Sequence, residues 1–107
     1  DYVTRSRRAD GQATLMQVAQ ELERCYTQFS AYNKASCALV GAGGVSQTSP
    51  EGYYVVTASG GALSASGFTL TATPQGSQAS NDTDCTTLTL THLGVQGATG
   101  ANAAGCW

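Results

Sequence analysis

One continuous helical stripe of apolar residues crosses the first third of the chain, and it limits the possible folds more than any other feature. Its members recur three, four or seven residues apart, which places them on one side of an α-helix. They are Leu15, Ala19, Leu22, Tyr26 and Phe29, with Val18 and Cys25 widening the stripe. The pattern predicts an amphipathic helix over residues 1–32 that ends near Asn33, because asparagine is common at helix C-termini.

The first twelve residues continue this helix but have little apolar face. Arg5, Arg7 and Arg8 lie in its first turns, and no capping box or hydrophobic staple stands in front of them. We therefore expect that a preceding segment has been removed and that residues 1–12 protrude from the fold as the start of a stalk. Gly11 predicts a bend or a close backbone contact, since glycine costs up to ~1 kcal/mol relative to alanine in a helix.

Three later segments have the period-two pattern of β-strands. They span 53–59, 67–74 and 86–92, and in the last two leucine or alanine alternates with threonine. Such alternation turns an apolar face inward and a threonine face toward water. The prediction is an α+β fold in which a three- or four-stranded antiparallel meander packs on the C-terminal half of the helix.

The remaining segments are predicted to be connections within one domain of 107 residues. Residues 35–52 form an irregular loop that is long for a compact domain. Residues 60–61 and 75–84 are turns. Residues 94–107 form a final loop that Cys106 holds in place.

The cysteines stand at Cys25, Cys37, Cys85 and Cys106, without a Cys-x-x-Cys motif or a zinc-like spacing to the lone His92. An even number at wide spacing favours disulfides and an oxidising compartment. Of the three possible connectivities we predict the one that consists of two local bonds. Cys25–Cys37 ties the helix end to the next segment, and Cys85–Cys106 ties a strand to the last residues. Loops of this size stabilise a fold by about 3 kcal/mol in the loop-entropy model.

The basic residues are confined to the start of the chain. All five lie in the first 34 positions, and the isoelectric point is near 5.0: Arg5, Arg7, Arg8, Arg24 and Lys34. Phosphate contacts from lysine and arginine supply most of the affinity for nucleic acid. We therefore do not expect nucleic acid among the partners.

No arrangement of residues indicates catalysis. His92 is the only histidine, and no serine stands in a Gly-x-Ser-x-Gly motif. Residues 81–84 resemble part of a calcium loop, yet turn chemistry explains them better because the EF-hand glycine and glutamate are missing. Trp107 either anchors a partner or packs across the Cys106 loop. We predict no enzyme activity, no cofactor, no metal and no small-molecule substrate.

Several segments of the sequence resemble type IV pilins. They are Arg-Ser-Arg-Arg-Ala-Asp-Gly-Gln (5–12), Glu-Arg-Cys-Tyr-Thr (23–27), Phe-Thr-Leu-Thr-Ala-Thr-Pro-Gln-Gly (68–76), Cys-Thr-Thr-Leu-Thr-Leu-Thr-His-Leu-Gly (85–94) and the final Cys-Trp. The strongest resemblance is to minor pilins of the PilE type, and it extends over nearly the whole chain.

The resemblance implies an upstream leader, a prepilin peptidase site and an apolar helix that anchors the subunit in the inner membrane and later packs in the pilus core. It also implies that residues 35–52 are the αβ-loop, residues 53–92 the sheet and residues 85–106 the disulfide-closed D-region. The subunit would pass from the inner membrane and periplasm to the cell-surface pilus. Its partners would be other major and minor pilins.

The arginines at the start of the helix then have two interpretations. Arg5, Arg8 and Gln12 share one helix face, whereas Arg7 points elsewhere. The arginines either contact acidic groups of a neighbouring subunit or phospholipid headgroups, or they form a solvated surface.

The resemblance implies a structural subunit that helps initiate pilus assembly and so supports twitching motility and attachment. One alternative is a pseudopilin of a type II secretion system, for which a calcium site and no C-terminal disulfide would be usual. Another is an adhesin or DNA-uptake pilin.

Overall fold

The computed structural model describes residues 2–34, 37, 40, 44–58 and 60–107. Helix α1 (Tyr2–Phe29) packs on one face of a five-stranded antiparallel sheet. The strands are β1 (Val45–Thr48), β2 (Tyr54–Ala58), β3 (Thr69–Pro74), β4 (Thr87–Thr91) and β5 (Gln96–Thr99). A second helix, α2 (Gly76–Asn81), joins β3 to β4, and single 3₁₀ turns lie at Gly60–Ala62 and Ala103–Gly105. Within the described residues, no helix has the length and apolar character needed to cross a membrane.

The sheet is the predicted antiparallel meander, because its strands lie side by side in chain order. The α+β prediction is confirmed, but the predicted three or four strands are too few. Strand β1 lies inside the predicted loop 35–52, and β5 lies inside the predicted loop 94–107. Both are edge strands in which apolar and polar residues do not alternate, so their sequences carry no strand signal. The predicted turn 75–84 contains α2.

The period-two pattern correctly assigned the central strands. Leu70 and Ala72 of β3 pair with Leu90 and Leu88 of β4, and all of them are buried. The threonines between them are exposed or half-buried on the other face. These cross-strand pairs of leucine and alanine therefore form the apolar face of the sheet on which α1 packs.

Helix α1 is buried at positions along both of its halves. The buried residues are Thr4, Gly11, Thr14, Leu15, Val18 and Leu22. The prediction that residues 1–12 protrude is therefore wrong for residues 2–12, while Asp1 lies outside the described residues. The error has a physical cause: this half of the helix buries small and polar groups, which give no apolar stripe.

The end of α1 also differs from the prediction. Tyr26 was assigned to the buried stripe but is 42% exposed. The buried ring here is that of Tyr32, which folds back beside Tyr26 with ring centroids 4.6 Å apart. The helix ends at Phe29 and not near Asn33. Ser30 takes a left-handed conformation with φ of 59°, and its N–H donates to the carbonyl of Tyr26 at 2.7 Å.

Gly11 makes the close contact that the sequence suggested. A Cβ at this position would lie 2.8 Å from Cγ of Tyr54, whose ring is fully buried beneath the helix. Real Cβ atoms do not approach so closely, so only glycine lets α1 lie this near to β2.

We predict that Gly11→Ala destabilises the fold. Overpacking against Tyr54 should lower the free energy of unfolding by about 1–3 kcal/mol, despite the gain of up to ~1 kcal/mol in helix propensity. Urea denaturation with the disulfides intact measures the difference. Gly61→Ala is the matched control, since nothing lies within 4 Å of a Cβ there. A Gly11→Ala variant as stable as the control would show that the helix can move away from Tyr54 without loss.

Candidate functional site

The first turns of α1 are joined to α2 by an ion pair. Nε and Nη2 of Arg8 donate to Oδ2 and Oδ1 of Asp82, each at 2.7 Å. The Asp82 side chain is only 1% exposed and that of Arg8 is 11% exposed. Two parallel charge-assisted bonds fix the orientation of both groups. The hydrogen bond to Asp82 also holds the pKa of Arg8 above its ordinary value.

Gln78 of α2 extends this contact into the interior. Its Nε2 donates to the carbonyl of Thr4 and to the hydroxyl of Tyr54, both at 3.0 Å, and lies 3.3 Å from Oδ2 of Asp82. Gln78 is fully buried, and burial raises the pKa of Tyr54. One amide group therefore connects both helices with β2. We refer to Thr4, Arg8, Tyr54, Gln78 and Asp82 as the Arg8 network.

Asp10 organises the turn between β1 and β2, a role that sequence reasoning missed. Its carboxylate accepts from the hydroxyl of Ser49 and from the backbone N–H groups of Glu51 and Tyr53. Ser49 is buried, and its hydroxyl accepts in turn from the N–H of Tyr54. The signal in the sequence was weak, because the carboxylate and the turn are about forty positions apart.

A cleft lies between α1 and this turn. Its volume is about 520 Å³, and its main lining residues are Tyr2, Val3, Arg7, Asp10, Glu51 and Tyr53. The guanidinium of Arg7 lies 4.5 Å above the ring centroid of Tyr53, and its Nη1 donates to Ser77 at 3.3 Å. Arg5 is exposed. The predicted arginine cluster is thus divided: Arg8 binds within the chain, Arg7 lines the cleft and Arg5 faces solvent.

The opposite end of the molecule is aromatic. The ring of Tyr32 packs against Tyr26 and Phe68, and His92 lies beside Phe68 with centroids 6.0 Å apart. The backbone N–H of Phe68 donates to Nδ1 of His92 at 3.3 Å. Burial and a hydrogen bond to Glu23 raise the pKa of Tyr32 to about 12. Among the described residues, no three or more histidine, cysteine or acidic side chains form a metal site.

The family follows from comparison with known proteins. A family model described as type IV minor pilin ComP, DNA uptake sequence receptor, matches residues 1–89. The chain belongs to this family of type IV minor pilins. No curated protein matches the sequence.

Two solved pilin structures are similar to this chain. A type IV pilin from Shewanella oneidensis has a TM-score of 0.65 and 33% identity, with 97% of each chain covered. The non-core minor pilin PilV of Neisseria meningitidis also has a TM-score of 0.65, with 29% identity over 94% of this chain and 91% of that chain. Proteins with this family and fold are structural subunits. The family's description as a DNA receptor, however, weighs against our expectation that nucleic acid is no partner.

The minor pilin forms both predicted disulfides, Cys25–Cys37 and Cys85–Cys106. Nε2 of Gln12 donates to the carbonyl of Cys106 at 2.8 Å, so α1 also touches the region that the second bond closes. Gly100, with φ of 131°, passes so near Asp84 that a Cβ would lie 2.4 Å from its carbonyl oxygen. This region is therefore closed by a covalent bond, a close backbone contact and a hydrogen bond from the helix.

Trp107 packs across the closed region, which is the second of the two roles that the sequence suggested for it. Its Nε1 donates to the carbonyl of Gly97 at 2.7 Å, and the ring packs against the core. Part of the predicted αβ-loop, 35–52, lies outside the described residues. Contacts of Arg5, Arg7 and Arg8 with another subunit or a headgroup stay a prediction.

We predict that the interaction between Arg8 and Asp82 itself stabilises the minor pilin, beyond what each side chain contributes alone. Asp82→Ala leaves a largely buried arginine unpaired and should cost about 3 kcal/mol of unfolding free energy. Adding Arg8→Ala should cost less than the sum of the single changes, because the unpaired charge disappears. Urea denaturation of all four forms gives the coupling.

The control for this cycle is Asp84→Ala, which removes an exposed carboxylate close by and should change stability by no more than about 0.5 kcal/mol. Equal losses in the two aspartate variants, or additive losses in the cycle, would contradict the assignment.

Proposed function

We propose that this minor pilin is a structural subunit that helps initiate assembly of a type IV pilus. Through the pilus it supports twitching motility and attachment. Its partners are other major and minor pilins. Before assembly it resides in the inner membrane and periplasm, and after assembly it is part of the pilus at the cell surface.

The attachment of the first turns of α1 to the globular head carries this proposal. The Arg8 network joins both helices and β2, and Asp10 adds the β1–β2 turn. A helix held at this many points keeps one direction relative to the sheet. A subunit that others must join benefits from this rigidity, because the entropy of orienting the head is lost on folding and not on assembly.

Because the chain belongs to a family of minor pilins, we favour a role in initiating the pilus over a role in forming its shaft. A subunit present in few copies cannot set the length of a polymer, but it can set how many polymers begin. Nucleation is the costly step of an assembly whose later additions each gain contacts, as it is in helix formation.

We predict that deletion of the gene lowers the number of surface pili per cell and leaves their length unchanged. Electron microscopy of cells that cannot retract pili measures both quantities and separates failed initiation from faster retraction. Complementation with the wild-type gene should restore the number. Normal pilus numbers in the deletion strain would overturn the assembly role.

A second candidate is DNA binding, which the family's description as a DNA uptake sequence receptor favours. On the described surface, the cations at the aromatic end are Arg24 and Lys34, both exposed, and the exposed ring of Tyr26 lies on the same helix end. Cations beside an exposed aromatic ring suit a phosphate backbone with a base stacked nearby. This surface is small, and Glu23 reduces its charge.

We predict that, if the chain binds single-stranded DNA, Arg24→Ala/Lys34→Ala weakens binding and reduces the slope of log affinity against log salt by about 1.4. Fluorescence anisotropy at several salt concentrations measures the slope. Arg5→Ala removes an exposed arginine at the other end and serves as control. A slope that changes only in the control would assign DNA to the start of the helix.

A further inference from the structure

A polar groove lies beside the aromatic end of the molecule. Its volume is about 290 Å³, close to the lower end of the range for small-molecule sites, roughly 300–1,000 Å³. Its walls come from the segment before β3, the start of β3 and the end of β4, and they include Ser64, Ser66, Gly67, Thr69 and His92. With the histidine neutral, no residue that lines the groove is charged.

The wall before β3 is a closed turn that needs no ligand to hold its shape. The N–H of Ser64 donates to the carbonyl of Gly67 at 2.9 Å, and the N–H of Gly67 donates to the hydroxyl of Ser64 at 3.2 Å. Leu63 pairs with Phe68 across the base of this turn. A ligand that binds such a wall loses little affinity to ordering it.

His92 presents a hydrogen-bond donor at this groove. Because the N–H of Phe68 donates to its Nδ1, the proton of the neutral ring is on Nε2. Nε2 has no hydrogen-bond partner in the part of the chain that the structure describes. A Cβ at Gly67 would lie 2.7 Å from Cε1 and 3.2 Å from Nε2, so only glycine allows this edge of the ring to lie against the turn.

Two hydroxyl groups beside His92 also have free hydrogen-bonding capacity. Ser66 and Thr69 are both exposed, and within residues 2–34, 37, 40, 44–58 and 60–107 neither side chain has a hydrogen-bond partner. A hydroxyl both donates and accepts. The groove therefore combines one N–H donor with two groups that can act in either sense.

Threonine hydroxyls continue from the groove across the outer face of the sheet. Thr69 is followed on the same face of β3 by Thr71, which lies between Thr57 of β2 and Thr89 of β4. We refer to Thr57, Thr71 and Thr89 as the threonine row. Neighbouring strands lie about 4.8 Å apart, and the hydroxyls of the row make no hydrogen bond to any described residue. None of the five strands contains a charged residue.

This combination favours a ligand that is neutral and rich in hydrogen-bonding groups. A charged ligand would lose water without meeting an opposite charge. An apolar ligand would leave the N–H of His92 and the hydroxyls without partners. A sugar ring has hydroxyls around its rim that donate and accept, so it satisfies both kinds of group.

We propose that the groove beside His92 binds one unit of a neutral polysaccharide and that the threonine row extends the contact to the adjoining units. Ser66, Thr69 and Nε2 of His92 form the hydrogen bonds to the unit in the groove. The proposal gives a chemical class to the attachment included in the proposed function, and in that respect it rests on it. Sugar binding to the isolated chain needs no pilus, and the pilus count of the deletion strain needs no sugar, so the two proposals can fail separately.

The test follows the isotope-labelled 107-residue chain by NMR while cellohexaose or chitohexaose is added into the millimolar range. At least one of these neutral sugars should shift the amide signals of Gly67, Thr69 and Thr71 and the Nε2 signal of His92. Ser66→Ala/Thr69→Ala should weaken this binding about tenfold, the effect of losing two ordinary hydrogen bonds. Neither hydroxyl holds the fold, so urea denaturation should give the wild-type stability.

Ser80→Ala/Thr83→Ala is the matched control. It removes one serine and one threonine hydroxyl that are exposed in and after α2 and that have no partner among the described residues. This control should bind sugar as the wild type does.

Four outcomes would overturn the proposal. They are the absence of shifts with both neutral sugars, equal weakening in the control, and equal shifts with the acidic hexagalacturonate. The fourth is a shift of the same amides when the protein concentration alone is raised, which would assign this surface to another protein chain.

Discussion

The bidentate pair of Arg8 and Asp82 is the constraint on which the rest of the structure depends. It joins α1 to the end of α2 through two residues that are 74 positions apart, and it leaves the carboxylate almost without solvent. Gln78 binds the same carboxylate and reaches the hydroxyl of Tyr54 and the carbonyl of Thr4. With these bonds made, the first turns of α1 lie on the head, Gly11 meets the Tyr54 ring, and the cleft beside Arg7 has a second wall.

The parts of the fold that could be predicted are those that bury apolar side chains with a clear period. Leucine and threonine alternate in β3 and β4, and the Leu15–Leu22 stretch forms the helix face that covers them. The edge strands β1 and β5 could not be predicted, because a strand that pairs on one side and contributes little to the core needs no alternation. The cysteine pairing could also be predicted, since both bonds close short loops.

The candidate site was harder to predict from the sequence, for a physical reason. Asp82 stands in a run that is typical of turns, and nothing beside it signals that its carboxylate will be buried. Asp10 likewise looks like an ordinary polar position on a helix. Buried polar groups are satisfied by partners distant in sequence, so their roles depend on the fold and not on local pattern. The stalk prediction failed there, because absence of an apolar stripe was taken as absence of burial.

The Cys85–Cys106 bond gives the edge of the sheet a dependence on oxidation. Strand β5 consists of Gln-Gly-Ala-Thr and contributes few side chains to the core, so the pairing of β4 and β5 gains much from the bond that closes the segment around it. Before that bond forms, β4 is only weakly covered, and an uncovered strand of alternating leucine and threonine can pair with a neighbouring chain. The oxidation state of Cys85 and Cys106 therefore decides whether the segment around β5 is covalently closed against the edge of the sheet.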